Sequence, residues 1–251
     1  MRLLLVLLCF LAAGAAWPFA QPACAQAPRF SVTYQQQFSG EPQPTATLVV
    51  NGSSTLYYYN RTAGEAAREL QQTNETNYTL AVTDAEGTCV YRDAATGRLL
   101  ARELEISTQQ FVLIADTVPR LNWKLGTATR QIGQYQAQQA TTTFRGRHYE
   151  AWFTPEIPVS AGPWKLGGLP GLILEARDAT GQVAFAALRV SQPAGVATPV
   201  LPPTQGRRYG SWAEYQAASQ AAAERLAKFM QAQAPGISVK ISRGEALELA
   251  P

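Results

Sequence analysis

The chain has 251 residues, a formal net charge of +3 and an apolar content of 46%, ordinary values for a globular protein that argue against disorder. Its charges form no long block of one sign, so nucleic acid is not an implied partner. Once the leader described next is removed, Cys89 is the one remaining cysteine, which excludes an intramolecular disulfide framework.

Residues 1–25 predict a cleaved signal peptide. Arg2 gives a positive start, an apolar run from Leu3 to Ala16 follows, and Ala23-Cys24-Ala25 has the small residues after which signal peptidase cuts. The apolar run is short for a membrane span of about 20 residues. The sequence therefore predicts export to the periplasm or the medium, with a mature chain that begins at Gln26.

The first half of the mature chain predicts a meander of short strands. Apolar and polar residues alternate from Arg29 to Phe38, the period of a half-buried strand, and Asn51-Gly52 is a strong hairpin signal. Pro42 and Pro44 are expected to break the chain after the first strand. The predicted elements are strands 29–38, 46–50 and 54–59, a short helix over 65–72 or a mobile loop, strands 79–82 and 89–91 paired across Asp84-Ala85-Glu86-Gly87, strand 98–101 after the Thr96-Gly97 turn, and a central strand at 111–115.

Proline and glycine organise the middle of the chain. Residues 154–163 contain three prolines and predict a stiff connector that is not helical. It leads into Leu169-Pro170-Gly171-Leu172, which fits a type II turn because Gly171 supplies the positive φ of the third position. The predicted hairpins on either side are 132–144 with 147–154, around Arg145-Gly146, and 172–178 with 182–190, about Thr180-Gly181.

The last part of the chain predicts a linker followed by one helix. Residues 192–210 are rich in proline and glycine and are expected to cross the surface without regular structure. Ser211 can cap a helix over 211–233, with Glu214 completing a capping box. A short strand is predicted at 237–241. The apolar face of the helix comprises Trp212, Tyr215, Ala222, Leu226, Phe229 and Met230.

These elements predict a mainly β protein (α+β), a single domain over residues 26–251 in which a curved antiparallel sheet of hairpins carries one C-terminal amphipathic helix. Missing crossover helices exclude parallel βαβ units.

One hexapeptide points to a family. Gly168, Leu169, Pro170, Gly171, Leu172 and Ile173 spell GLPGLI, and the flanking Tyr149–Thr154 and Gly162-Pro163-Trp164-Lys165 fit the same pattern. By these motifs the chain resembles the GLPGLI family of exported, Bacteroidetes-type proteins. The resemblance implies export, a β-rich body and a role beside outer-membrane machinery. It implies no catalytic residue.

The candidate catalytic residues lack the partners that catalysis needs. His148 is the only histidine, which excludes metal sites with two imidazoles, and no Gly-x-Ser-x-Gly motif offers it a nucleophile. A weak metal site of His148, Glu150 and Glu156 is not specified by their spacing. Cys89 has no histidine near it in sequence and is expected to be an inert, buried thiol. We therefore assign no catalytic residue, metal site or cofactor.

Aromatic residues suggest the one candidate binding site. Trp152, Trp164 and Leu169 could line a groove for a lipid, sugar or peptide, although packing in the core explains them equally. Asp116-Thr117-Val118 resembles a short acceptor for O-linked glycans. The leading hypothesis is a non-catalytic accessory or binding protein of the bacterial envelope, whose partners are envelope or outer-membrane proteins and which is compatible with peripheral membrane association. The alternatives are a carrier of an apolar ligand in a sheet concavity, and a hydrolase of unrecognised type.

Overall fold

The computed structural model describes residues 29–72, 78–105, 108–191, 200–233 and 248. These residues form fourteen strands and one helix, α1, at Trp212–Gln233. The strands are β1 Arg29–Phe38, β2 Glu41–Asn51, β3 Ser54–Tyr59, β4 Ala67–Gln72, β5 Tyr78–Thr83, β6 Thr88–Asp93, β7 Arg98–Glu105, β8 Gln110–Thr117, β9 Lys124–Ile132, β10 Tyr135–Phe144, β11 Arg147–Thr154, β12 Leu172–Asp178, β13 Ala184–Ser191 and β14 Arg207–Tyr209.

Twelve strands form one sheet in the order β14-β8-β7-β6-β3-β2-β1-β13-β12-β11-β10-β9, while β4 and β5 pair separately. Neighbouring strands are antiparallel except β14 and β8, which are parallel. The sheet is large, open and curved, and one C-terminal helix packs on it. The predicted mainly β fold is confirmed.

The curvature brings the two ends of the sheet together. β8 is second in the strand order and β10 is eleventh. Nevertheless Arg145, which follows β10, donates a hydrogen bond to Asp116 of β8 over 2.6 Å. The segment between β8 and β9 crosses the same gap, where the Trp123 indole N–H donates to the carbonyl of Gly167 at 2.8 Å. The inner face of the sheet therefore wraps around the core.

The connector between β11 and β12 fills that inner face. Trp164, Leu166 and Leu169 are 4%, 0% and 1% exposed and pack in one cluster with the inward side chains of the strands. Arg92 of β6 lies against the connector and donates to the carbonyl of Leu166 at 2.8 Å. The prediction of a non-helical connector is confirmed, and the connector is part of the core.

The predicted type II turn in the hexapeptide is wrong. Such a turn needs a positive φ at Gly171, but within the hexapeptide the positive φ belongs to Gly168, at +92°. Gly171 is needed because a Cβ there would lie 2.1 Å from the carbonyl oxygen of Thr154. The absent side chain lets the start of β12 approach the end of β11.

Three local predictions in the first half are also wrong. Within the range 65–72, where a helix or mobile loop is predicted, residues 67–72 form the strand β4, which pairs along its length with β5. β5 and β6 do not form the predicted hairpin, since β6 pairs with β3 instead. Pro42 and Pro44 lie inside β2, where pairing with β3 begins only at Thr47. Their missing N–H groups are therefore not needed for that pairing.

The prediction of a central strand at residues 111–115 is wrong. β8, which contains them, lies near one edge of the sheet. Val112 and Ile114 face the core cluster, and Leu113 between them is also buried, with 0% exposure. Both faces of β8 are covered, so its continuous apolar run does not require a central position.

The crossing segment predicted at 192–210 is partly regular. Its last residues form β14, which pairs with β8. Residues 192–199 and the strand predicted at 237–241 lie outside the described residues.

Helix α1 begins as predicted, since the Ser211 hydroxyl accepts a hydrogen bond from the backbone N–H of Glu214 at 3.1 Å. Trp212 and Tyr215 are buried against the core, but Phe229 is 62% exposed. The apolar face predicted for the helix therefore extends beyond its contact with the sheet. Within the described residues, no helix is both long and apolar enough to cross a membrane.

Arg102, on the outer face of β7, binds the chain near residue 204. Its guanidinium pairs with Asp84 at 2.6 Å and Glu86 at 3.2 Å and donates to the carbonyl of Gln205 at 2.8 Å. Burial alone would raise the pKa of both carboxyls. Hydrogen bonds from Arg102 to Asp84 and from Thr204 to Glu86 outweigh burial and lower both pKa values.

We expect acid to remove this stabilisation. The folded-state pKa values lie below the unfolded values of about 4, so the contribution is present above that pH and is lost as the pH falls through the folded values. The free energy of unfolding in urea, measured from pH 7 to pH 3, should therefore fall less steeply for Arg102→Met than for the wild type. The exposed Arg208→Met is the control and should keep the wild-type slope. An unchanged slope in Arg102→Met would contradict this interpretation.

Candidate functional site

The structure separates the three residues that the sequence placed in a ligand site. Trp164 and Leu169 lie in the core. Trp152 lies between Ala151 and Phe153, which both point inward, and it is half-buried on the outer face of β11. Of the three, Trp152 borders an open groove.

This groove, here called the outer groove, crosses the outer face of β10, β11 and β12. It consists of two adjoining depressions of about 840 and 410 Å³ that share Glu150 and Arg177. The larger is also lined by Asn122, Lys124, Thr141, Thr142, Thr143, His148, Tyr149, Asp178, Ala179, Thr180 and Gly181. The smaller is also lined by Gln35, Gln36, Gln37, Arg130, Trp152, Glu175, Ala176, Ala184, Phe185 and Ala186.

Strand register explains why the polar side chains of the groove converge. Glu150 is paired with Arg177, and Trp152 with Glu175, across β11 and β12, so the four side chains share one face of the sheet. The Glu150 carboxylate accepts hydrogen bonds from the Gln139 amide at 2.8 Å, the Arg177 guanidinium at 3.2 Å and the Trp152 indole at 3.3 Å. The Glu150 carboxylate is thus the shared acceptor for three side chains of the groove.

Glu150 is held in its ionised form. Its partial burial alone would raise its pKa, but the hydrogen bonds from Gln139 and Trp152 and the charge of Arg177 outweigh burial and lower the pKa. A group with a lowered pKa carries no proton at neutral pH and does not suit the role of general acid. Its carboxylate instead offers a fixed acceptor to a ligand's N–H or O–H groups.

Arg130 fixes the indole of Trp152 from the edge strand β9, across the intervening strand β10. The guanidinium carbon lies 4.2 Å from the centre of the ring, and the same side chain forms a close ion pair with Glu175. Cation–π attraction and the ion pair together restrict the rotamers of both side chains. The smaller depression therefore presents an aromatic ring, two carboxylates and two guanidinium groups in a preformed arrangement.

His148 borders the larger depression, but the structure does not place Cys89 near it. The imidazole is exposed, with Nδ1 2.8 Å from the Thr143 hydroxyl, whereas Cys89 on β6 packs with Leu56 and Tyr91 and lines neither depression. Glu156 accepts the backbone N–H of Gln136 at 2.7 Å. Among the described residues, no group of three or more histidine, cysteine, aspartate or glutamate side chains is arranged to hold a metal ion.

Cys89 is not suited to act as a nucleophile. It is 3% exposed, and burial raises the pKa of its thiol to about 12, so almost no thiolate exists at neutral pH. In protein produced from Gln26 onward, where Cys89 is the sole thiol, we expect iodoacetamide at pH 8 to leave the native state unlabelled and to label the urea-unfolded state fully. Mass spectrometry distinguishes the two. Labelling of the native protein at the unfolded rate would show an accessible, reactive thiol.

Sequence reasoning placed Glu175 and Arg177 on the polar face of their strand but did not recognise them as site residues. Their alternation with Leu172 and Leu174 was the available signal. Arg130 carried no such signal. Its strand, β9, was not predicted as a separate strand, and Trp152, which Arg130 contacts, is distant in sequence. Arg130 reaches Trp152 only because β9 pairs with β10 and β10 pairs with β11.

Comparison with known proteins gives one family match and one structural likeness. A family model matches residues 144–175. It describes a protein of unknown function (Porph_ging). The matched segment runs from the end of β10 through β11 and the connector into β12, and so contains Trp152 and the hexapeptide. No curated protein sequence matches the chain.

Solved structures of PNGF-II in the P21 and C2 space groups resemble this fold. Each gives a TM-score of 0.50 at 16% sequence identity and covers 78% of this chain. The chain spans 34% of the length of PNGF-II. At this level of identity the likeness concerns the fold alone.

Proposed function

We propose that this protein is an exported, non-catalytic binding protein of the bacterial cell envelope, and that the outer groove holds a polar ligand. The observation that carries the proposal is the fixed network around Glu150, in which Gln139, Trp152 and Arg177 all donate to one carboxylate. Preformed polar groups that converge beside an aromatic ring are typical of small-molecule sites. A ligand exchanges these contacts for its own without reorganising the sheet.

The same geometry favours binding over hydrolysis. Glycoside hydrolysis by a pair of carboxylates needs one of them protonated as general acid, a role to which the lowered pKa of Glu150 does not suit it. A carrier that holds an apolar ligand in the concavity is less well supported, because Trp164, Leu166 and Leu169 already occupy the inner face. The outer groove presents the charged side chains of Glu150, Glu175 and Arg177, so the proposed ligand carries polar groups.

Export and membership of the GLPGLI family complete the proposal. The leader over residues 1–25 supports export, and the family match over residues 144–175 contains the hexapeptide. Envelope or outer-membrane proteins are the proposed partners. The outer groove lies on the face of the sheet opposite the core, where a ligand attached to such a partner could reach it.

The experiment compares three proteins purified without denaturation from the native host: the wild type, Trp152→Ala and Leu125→Ala. Leu125 is 54% exposed and does not line the groove, so it is the matched control. Compounds released on unfolding are identified by mass spectrometry. We expect the wild type and Leu125→Ala to release the same polar compound, and Trp152→Ala to release at least about tenfold less, the loss expected for about 1.4 kcal/mol of binding energy. Release of no compound by the wild type, or chemical conversion of the compound on incubation, would overturn the proposal.

A further inference from the structure

A second site lies inside the curved sheet, where its two ends meet. The Arg145 guanidinium donates to Asp116 at 2.6 Å, and the Lys165 ammonium of the connector lies 3.7 Å from the same carboxylate. Two cations therefore share one anion. Without a further carboxylate this place would hold a net positive charge.

The position of Lys165 makes that excess charge costly. Its side chain is 0% exposed, and its ammonium lies between the rings of Trp164 and Trp212, at 5.7 and 4.8 Å from their centres. Aromatic rings attract the cation but do not neutralise it. A buried ammonium normally requires an anionic partner in direct contact.

Glu248 is that partner. It lies 83 residues beyond Lys165 in the chain, and its side chain is 1% exposed. One carboxylate oxygen makes a close contact with the Lys165 ammonium, and the other lies 3.1 Å from Nε of Arg145. Burial raises the pKa of Glu248, and the charges of Lys165 and Arg145 oppose that rise. In its ionised form the carboxylate spans both cations, and the four charges balance.

A buried donor without a partner lies at this place. The Trp212 indole N–H is buried and has no hydrogen-bond partner among the described residues, and the centre of the Trp212 ring lies 4.8 Å from the Lys165 ammonium. An unused donor beside two cations is the chemistry of a site that receives an anion.

We propose that Lys165 and Arg145 form a binding site for a monocarboxylate on the inner face of the sheet, and that Glu248 is its resident, intramolecular occupant. The site is independent of the outer groove and of the proposed function. A single negative charge with two oxygens fits, because each oxygen meets one cation and the total charge becomes zero. A dianion such as phosphate would leave a buried negative charge, and a halide ion has no second oxygen to bridge the cations.

Acetate tests this proposal in the full chain. Glu248→Ala removes the two carbons and two oxygens that acetate restores. At pH 8, we expect Glu248→Ala to melt below the wild type, and acetate well above its dissociation constant to raise its melting temperature by about 3–5 °C, with a rise that continues with the logarithm of acetate concentration. Sodium chloride of equal ionic strength and the neutral isostere acetamide should not do so. Neither the wild type, whose site is filled, nor Glu248→Ala/Lys165→Met should respond specifically to acetate.

Three results would overturn the proposal: no acetate-specific rise in Glu248→Ala, an equal rise in the wild type, or a rise that persists in Glu248→Ala/Lys165→Met. If Glu248→Ala does not accumulate as folded protein, the same comparison is made on its refolding from urea. Recovery of folded protein with acetate and not with acetamide supports the site. Equal recovery with both, or with neither, contradicts it.

Discussion

Gly171→Ala is expected to lower the free energy of unfolding by about 3 kcal/mol or more. The added Cβ would lie 2.1 Å from the carbonyl oxygen of Thr154 and 2.7 Å from its carbonyl carbon. Both atoms belong to the backbone, so no side-chain rotation relieves the overlap. Relief requires moving the end of β11 away from the start of β12. Urea unfolding monitored by tryptophan fluorescence measures the change.

Gly168→Ala is the matched control within the same hexapeptide. Gly168 has a φ of +92°, but the nearest atoms to an added Cβ are side-chain atoms of Trp123 at 3.7 and 3.8 Å. Its cost should therefore come from backbone strain alone, about 1–2 kcal/mol. If Gly168→Ala cost more than Gly171→Ala, close packing against Thr154 would not be the reason for a glycine at position 171.

Arg147→Met should cost about 3–5 kcal/mol of unfolding free energy, because it leaves a buried carboxylate without its cation. Arg147 pairs with Asp178 at 2.6 Å, and the two side chains are 2% and 1% exposed. Burial alone would raise the pKa of Asp178, but hydrogen bonds from Thr180, Val183 and Arg147 outweigh it and lower the pKa. After the substitution Asp178 would keep the hydrogen bonds from Thr180 and Val183 but would have lost its cation. Chemical denaturation at pH 7 measures the loss.

Arg147→Met/Asp178→Asn tests the reason for this loss. An asparagine side chain keeps an oxygen to accept the N–H of Val183, which donates to Asp178 at 2.9 Å, but it removes the charge. We expect the double variant to recover about half of the free energy lost in Arg147→Met. A double variant as unstable as the single one would point to lost packing around the arginine stem and not to the unpaired charge.

Local patterns were sufficient to predict most of the strands but not their order. Alternation at Phe30, Val32 and Tyr34 and the Asn51-Gly52 turn predicted β1 and the β2–β3 hairpin, and both are observed. Nothing in β1 indicates that it pairs with β13, whose paired residues lie 147 to 160 positions later. Long-range pairing depends on the whole sheet, so the apolar run of β8 was placed at the centre when it lies near an edge.

The buried charges around Lys165 also could not be predicted from local sequence patterns. Lysine is normally a surface residue, and the sequence around Lys165 gives no sign that its ammonium is buried. Its partner Glu248 is 83 residues away. Asp116 lies on β8 and Arg145 in the turn after β10, near opposite ends of the sheet order. Only the curvature of the sheet brings these groups together. The candidate site was missed for a related reason, since Trp152 was grouped with Trp164 and Leu169, which face the opposite side.

The central claim is that Trp152 serves ligand binding on the outer face while Trp164 serves the core. The most direct measurement determines, on the same preparations of Trp152→Ala and Trp164→Ala, both the free energy of unfolding and the amount of retained polar compound per protein. We expect Trp152→Ala to lose the compound at a cost of about 1 kcal/mol in stability, and Trp164→Ala to lose about 3–5 kcal/mol while its folded fraction keeps the compound. Full retention by Trp152→Ala, or selective loss of the compound from a stable Trp164→Ala, would contradict the claim.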